Sequence, residues 1–380
     1  MEGVQPGRIQ YLDVLRVLSM LSVVFLHTAA GSLRTAYGSS VWHFANALSS
    51  LASASIPLFF MISGALLLSS PKTDSVRFTL GTRLPRVLLP FIAWSLIAVA
   101  YYLLIGWKIS GSPDWGMATE KLKNFPSTPT AIHLWFMYPL IPLYLLSPLI
   151  RKVTNNAGRD LVVYMIAIWL VFSSLLPTIA AFLPKAYRPL VTLDVRYNLS
   201  IMAGYAGYFI FGYYLSRLNA RFPKPALAAI VFVFTVVIAL GTWWKTSSSG
   251  LYVESFKTYT GLFVVILSTA VFLLCKEVLR ERSLGTVARA TVGFLAPLSF
   301  GIYLIHLLFV DLVTKLTYWL PARSVWVMIF AYVAILVAST VCIFVASGIK
   351  PLCYVLTGRR YANWRTRWSR PASARAAGRT

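Results

Sequence analysis

Charged side chains are scarce in this sequence: they make up 12% of its 380 residues, and only 11 are acidic. A water-soluble domain carries about 25% charged residues, so a soluble globular fold is excluded and lipid becomes the main solvent of the folded chain. Cysteine is scarce too. Cys275, Cys342 and Cys353 are odd in number and lack paired spacing, so neither a disulfide framework nor a metal site is expected. No stretch between the apolar runs is long enough for a second domain, and no internal repeat is evident.

What is there is apolar. Hydrophobic residues reach 58%. Windows of about 20 residues give ten candidate helices, at roughly 11–30, 43–69, 84–106, 131–150, 160–182, 198–216, 225–244, 258–275, 292–314 and 324–347. The fold predicted is all-α, a polytopic integral membrane protein. A net charge of +24 would point to nucleic acid in a soluble protein, but here most Lys and Arg fall in short segments between spans, where they set topology. No nucleic-acid partner is expected. Segments on the N-terminal side hold about twice as many Lys and Arg as those opposite, which predicts both termini in the cytoplasm. Residues 1–350 would then form the transmembrane domain, and residues 351–380 a basic, partly disordered cytoplasmic tail drawn to anionic lipid.

The first span, YLDVLRVLSMLSVVFLHTAAG, carries Asp13, Arg16 and His27, where a lipid-facing helix carries none. Arg8 and the small residues after His27 would suit a signal peptide, but Asp13 and Arg16 fall in its leading part, so the span is read as retained. Eleven helical steps at 100° place Arg16 and His27 within roughly 20° of one stripe and about 16 Å apart along the axis. Asp13, one turn before Arg16, can neutralise it. Imidazole is suited to taking a proton from an alcohol near neutral pH. A guanidinium suits an anionic or carbonyl-bearing donor. The plainer readings are a structural histidine and a snorkelling arginine.

Pro57 and Ser63-Gly64 read as a kinked, closely packed helix, with little to support Ser63 as a nucleophile. Arg83 and Arg86 stand one turn apart, as positive-inside anchors or as a clamp for phosphate. His133, Trp135 and Tyr138 open the fourth span, where an aromatic belt or a sugar-stacking surface would place them, and the 107–130 loop leading there could cover an acceptor. Tyr303 and His306 share a face of the ninth span, with His306 near the expected depth of His27.

In order along the chain, YLDVLRVLSMLSVVFLH, PLFFMISGALLL, RLPRVLLP, HLWFMYPLIPLYLLSPLI and SFGIYLIHLLF resemble acyltransferase family 3. These are integral membrane O-acyltransferases that modify bacterial surface glycans and some small molecules. Arg16 and His27 match the family's R-x10-H pattern, whereas Thr82 stands where many members pair an arginine with Arg83. The resemblance implies an enzyme of the bacterial cytoplasmic (inner) membrane that moves acetyl from acetyl-coenzyme A to a hydroxyl of a cell-surface or lipid-linked glycan. Polysaccharide-assembly proteins are conceivable partners. No SGNH-type domain is expected, since the chain ends soon after the tenth span. In this scheme His27 and Arg16 are catalytic, and Arg83, Arg86 and Asp13 serve the donor. His133, Trp135, Tyr303 and His306 serve the acceptor or support the site. The alternative is a transporter of a lipid-linked sugar or other small substrate that uses the same charged stripe.

Overall fold

The computed structural model describes residues 7–192, 204–317, 319 and 324–359. Those residues form helices and no strand. The first half runs α1 (Gly7–Thr35), α2 (Ser40–Ala52), α3 (Ser55–Leu67), a 3-10 turn (Pro71–Asp74), α4 (Val76–Phe78) with a π turn (Thr79–Arg83), α5 (Pro85–Ser110), α6 (Trp115–Lys123), a second 3-10 turn (Ile132–Phe136) and α7 (Met137–Asn156). The second half holds α8 (Arg159–Trp169), a π turn (Leu170–Leu175), α9 (Leu176–Phe182), α10 (Tyr205–Arg217), α11 (Lys224–Ser249), α12 (Leu262–Glu281), α13 (Thr286–Leu316), α14 (Val325–Ser347) and α15 (Lys350–Thr357).

Nine helical stretches among the described residues are long and apolar enough to cross a membrane. The sixth expected span is represented by the 13-residue α10, and its leading part, 198–203, lies outside the described residues. The second expected span is interrupted between Ala52 and Ser55. Pro57 explains the break, because it has no N–H to give and its ring crowds the carbonyl four residues back.

Helix α1 lies at the centre, packed against α2, α3, α12, α13 and α14. Two members of its charged stripe face other helices, Arg16 at a cavity and His27 on His306. Helices α3 and α10 make the closest pairing. A Cβ on Gly64 of α3 would stand 1.7 Å from the Phe209 carbonyl oxygen, and one on Gly212 of α10 would stand 2.2 Å from that of Met61. Only glycine lets the two backbones approach so closely. Between α11 and α12, the buried Lys257 ammonium donates to Asn46 Oδ1 (2.8 Å), Ser49 Oγ (2.6 Å) and the Tyr252 hydroxyl (3.2 Å), which ties that loop to α2. Burial lowers its pKa to about 7.

Residues up to 359 belong to the folded body. Helix α15 packs on α5, α13 and α14, so the tail expected from 351 is helical at its start, and residues 360–380 lie outside the described ones. Pro351 in the first turn and Gly358 just past the end frame α15 as helix punctuation does elsewhere.

Candidate active site

A cavity of about 530 Å³ opens among α1, α3, α5, α7, α13 and the residues following α15. Four arginines line it, from three parts of the chain: Arg16 from α1, Arg83 and Arg86 from the π turn and the start of α5, and Arg359 from beyond α15. Their charges are held differently. Arg16 pairs with Asp13 at 3.0 Å. Arg83 donates to Thr73 Oγ1 and to Ser70 Oγ (2.7 Å) and lies 5.5 Å from the Phe78 ring. Arg86 is exposed and makes no hydrogen bond to another described residue. Gly358, at φ +65°, brings the Arg359 segment onto α5, for a Cβ there would stand 1.8 Å from the Arg86 carbonyl oxygen.

The wall beneath Arg83 is anchored by a buried cation. Arg151, at the end of α7, donates to the Leu68 carbonyl and to Asp74 (2.9 Å), while Thr73 donates to the Leu67 carbonyl. The 71–74 turn is thus fixed from two sides, and Arg83 is aimed by it. Buried charges are retained where paired and hydrogen-bonded in this way.

At its inner end the cavity meets Tyr303, whose hydroxyl donates to the His133 carbonyl. Behind Tyr303 three histidines touch. The ring of His306 lies 5.1 Å from that of His27 and 5.2 Å from that of His133, centroid to centroid. His133 Nε2 bonds the Leu304 carbonyl at 2.9 Å, and His306 Nδ1 bonds the Tyr303 carbonyl. A carbonyl only accepts, so those nitrogens carry the protons and the opposite ones keep lone pairs. His133 Nδ1 and His306 Nε2 have no partner. His27, partly exposed, has no hydrogen bond to a described residue. The cluster is a set of unengaged proton acceptors at the end of a cationic cavity.

The sequence profile of the Acyltransferase domain family matches residues 9–348. The chain belongs to acyltransferase family 3. It is an enzyme that transfers acyl groups, built as a multi-pass membrane protein. No curated protein and no solved structure matches it. Family membership favours the acyltransferase over the transporter reading of the same stripe.

In this acyltransferase Arg16, Arg83, Arg86 and Tyr303 meet at one cavity, and His27, His133 and His306 meet behind it. His27 does not line this cavity; its ring contacts His306, which in turn packs on Tyr303 of the cavity wall. Asp13 lies off the cavity and acts on Arg16. Trp135 also lies apart, stacked 5.8 Å from Tyr259 at 15° and 5.6 Å from Tyr205. Ser63, given little weight from sequence, does line the cavity, as does Tyr144 of α7. Arg359 and Arg151 were not singled out by sequence, although the Pro351 and Gly358 helix signals around α15 offered a pointer to the first.

Proposed function

We propose that the arginine-lined cavity takes the nucleotide and pantetheine of acetyl-coenzyme A from the cytoplasm and that His27 is the general base. The observation that carries this reading is the meeting of four arginines at a single cavity whose inner wall touches the histidine cluster. Guanidinium forks suit phosphate oxygens, and a volume near 530 Å³ falls in the usual range for ligand pockets, about 300–1,000 Å³. Arg16, which brings α1 into the cavity lining, would meet the thioester end.

In the reaction a hydroxyl oxygen of a surface or lipid-linked glycan attacks the thioester carbonyl carbon. His27 accepts the hydroxyl proton, the new C–O bond forms, the C–S bond breaks, and the thiolate leaves with that proton returned to sulfur. His306, held as one tautomer by the Tyr303 carbonyl, packs against the His27 ring. The membrane would be the bacterial cytoplasmic one.

The test is acetyl content of surface glycan, read by NMR before and after mild base, in cells carrying wild-type or His27→Ala protein. A general base contributes about 10²–10⁴-fold, so base-labile acetyl should vanish while membrane levels of the protein stay normal. Arg16→Lys keeps charge without the fork and is expected to lower transfer. Full acetylation with His27→Ala would end the general-base reading.

A further inference from the structure

Helix α13 has a second cavity beside it. The arginine cavity uses its residues from Ala296 to Tyr303; the other, about 290 Å³, uses residues from Leu304 to Thr314. The two lie end to end along one helix, and the boundary is the turn that carries Tyr303 and His306. His133, 5.2 Å from His306 ring to ring, lines the second cavity. His133 is 4% exposed as a residue, and its Nδ1 has no partner among the described residues.

The lining of this second space differs from the first. It has no arginine, and it presents Trp94, Tyr101 and Tyr102 of α5 with one carboxylate, Asp311. Both bonds to that carboxylate fall on a single oxygen: Tyr101 donates to Oδ2, and Lys315 Nζ lies 2.6 Å from it. Oδ1 is unengaged among the described residues. Helix α6 is packed close by. Lys121 stands 4.7 Å over the Tyr102 ring and donates to the Thr130 carbonyl at 3.1 Å. The Asp311 side chain, near the end of α13, is 41% exposed, so its open oxygen is accessible from the cavity, and indole or phenol faces beside a carboxylate with an open oxygen match the apolar face and hydroxyl edge of a sugar ring.

We infer that this second cavity is the acceptor subsite, taking a pyranose ring with Asp311 Oδ1 accepting from one hydroxyl while a neighbouring hydroxyl faces the histidines. Tyr101 is a positioning residue, holding the Asp311 carboxylate by its other oxygen. The inference rests on the acyl-transfer reading for its chemistry, but not for its binding. Donor and acceptor then approach from opposite ends of α13, so neither has to leave for the other to bind.

The test uses the full-length protein in lipid nanodiscs and three probes, methyl glucopyranoside, galactopyranoside and mannopyranoside, titrated by ligand-observed NMR, with coenzyme A titrated separately. At least one glycoside is expected to bind wild type. Asp311→Asn should weaken that binding about tenfold, the loss of one hydrogen bond to a charged group, with coenzyme A binding unchanged. Tyr101→Phe should weaken it less. Absence of glycoside binding, or unaltered binding in Asp311→Asn, overturns the inference even where acetyl transfer is active. Glycoside binding that depends on Asp311 in a protein that transfers no acetyl upholds the subsite and removes the acetyltransferase reading instead.

Discussion

Gly358→Ala is the substitution whose consequence the geometry defines most closely. The residue sits at φ +65°, and its absent Cβ would stand 1.8 Å from the Arg86 carbonyl oxygen. An L side chain in that left-handed region costs about 1–2 kcal/mol by itself. Ordinary contact begins near 3.4 Å, so the chain after α15 and the start of α5 must separate by about 1.6 Å, the difference of those two distances. The obstacle is a backbone carbonyl, which cannot swing aside as a long side chain would. Arg86 and Arg359 move apart as a result, and both line the proposed donor cavity. Gly358→Ala, which displaces two guanidiniums at once, is therefore expected to weaken coenzyme A binding by about tenfold or more, as loss of charge-assisted bonds does, measured by calorimetry on the purified protein. Arg359→Ala, which keeps the backbone, serves as the companion variant and should weaken binding about tenfold, as loss of a charge-assisted bond does. Coenzyme A affinity equal to wild type in both variants would refute the claim that this junction shapes the donor site.

The two α5-side arginines should behave differently. Arg86→Ala is expected to weaken coenzyme A binding about tenfold with thermal stability unchanged, whereas Arg83→Ala should also lower the unfolding temperature, because Ser70 and Thr73 lose their donor; scanning fluorimetry beside calorimetry separates the two. Gly64→Val should leave no folded protein on size exclusion, since the Phe209 carbonyl blocks its Cβ at 1.7 Å, while Gly31→Ala, with nothing within 4 Å, should be neutral. Lys257 gives a pH dependence. Its folded pKa is about 7 against 10.5 in the ordinary case, so over that interval the unfolded chain binds more protons and stability rises with pH, by at most about 1.4 kcal/mol per unit. Lys257→Met should flatten that rise in unfolding temperature, and an unchanged slope would show that another group causes it.

The spans were legible because lipid selects residue by residue: a run of apolar side chains is favourable in hydrocarbon whatever surrounds it, and a run with many charges is not. The break after Ala52 follows as locally from Pro57, and the shared stripe of Arg16 and His27 follows from helical pitch alone. The sequence by itself thus determined the class of protein, the approximate spans and one chemically loaded helix. It could not decide how far the folded body extends past α14, because the seat of α15 depends on a glycine fitting against a carbonyl from the far side of the chain. Nor could it decide that Trp135 turns inward onto Tyr259, since an aromatic at a span end fits a lipid belt and an internal stack equally well. The convergence of Arg16 and Arg359 on the Arg83–Arg86 pair, and the placing of His133 on the wall of the second cavity, were decided by tertiary structure. Only the Arg83–Arg86 pair follows from local spacing; Arg16, Arg359 and His133 lie far away along the chain, and only the packing of α1 and α13 at the centre of the bundle brings them near it.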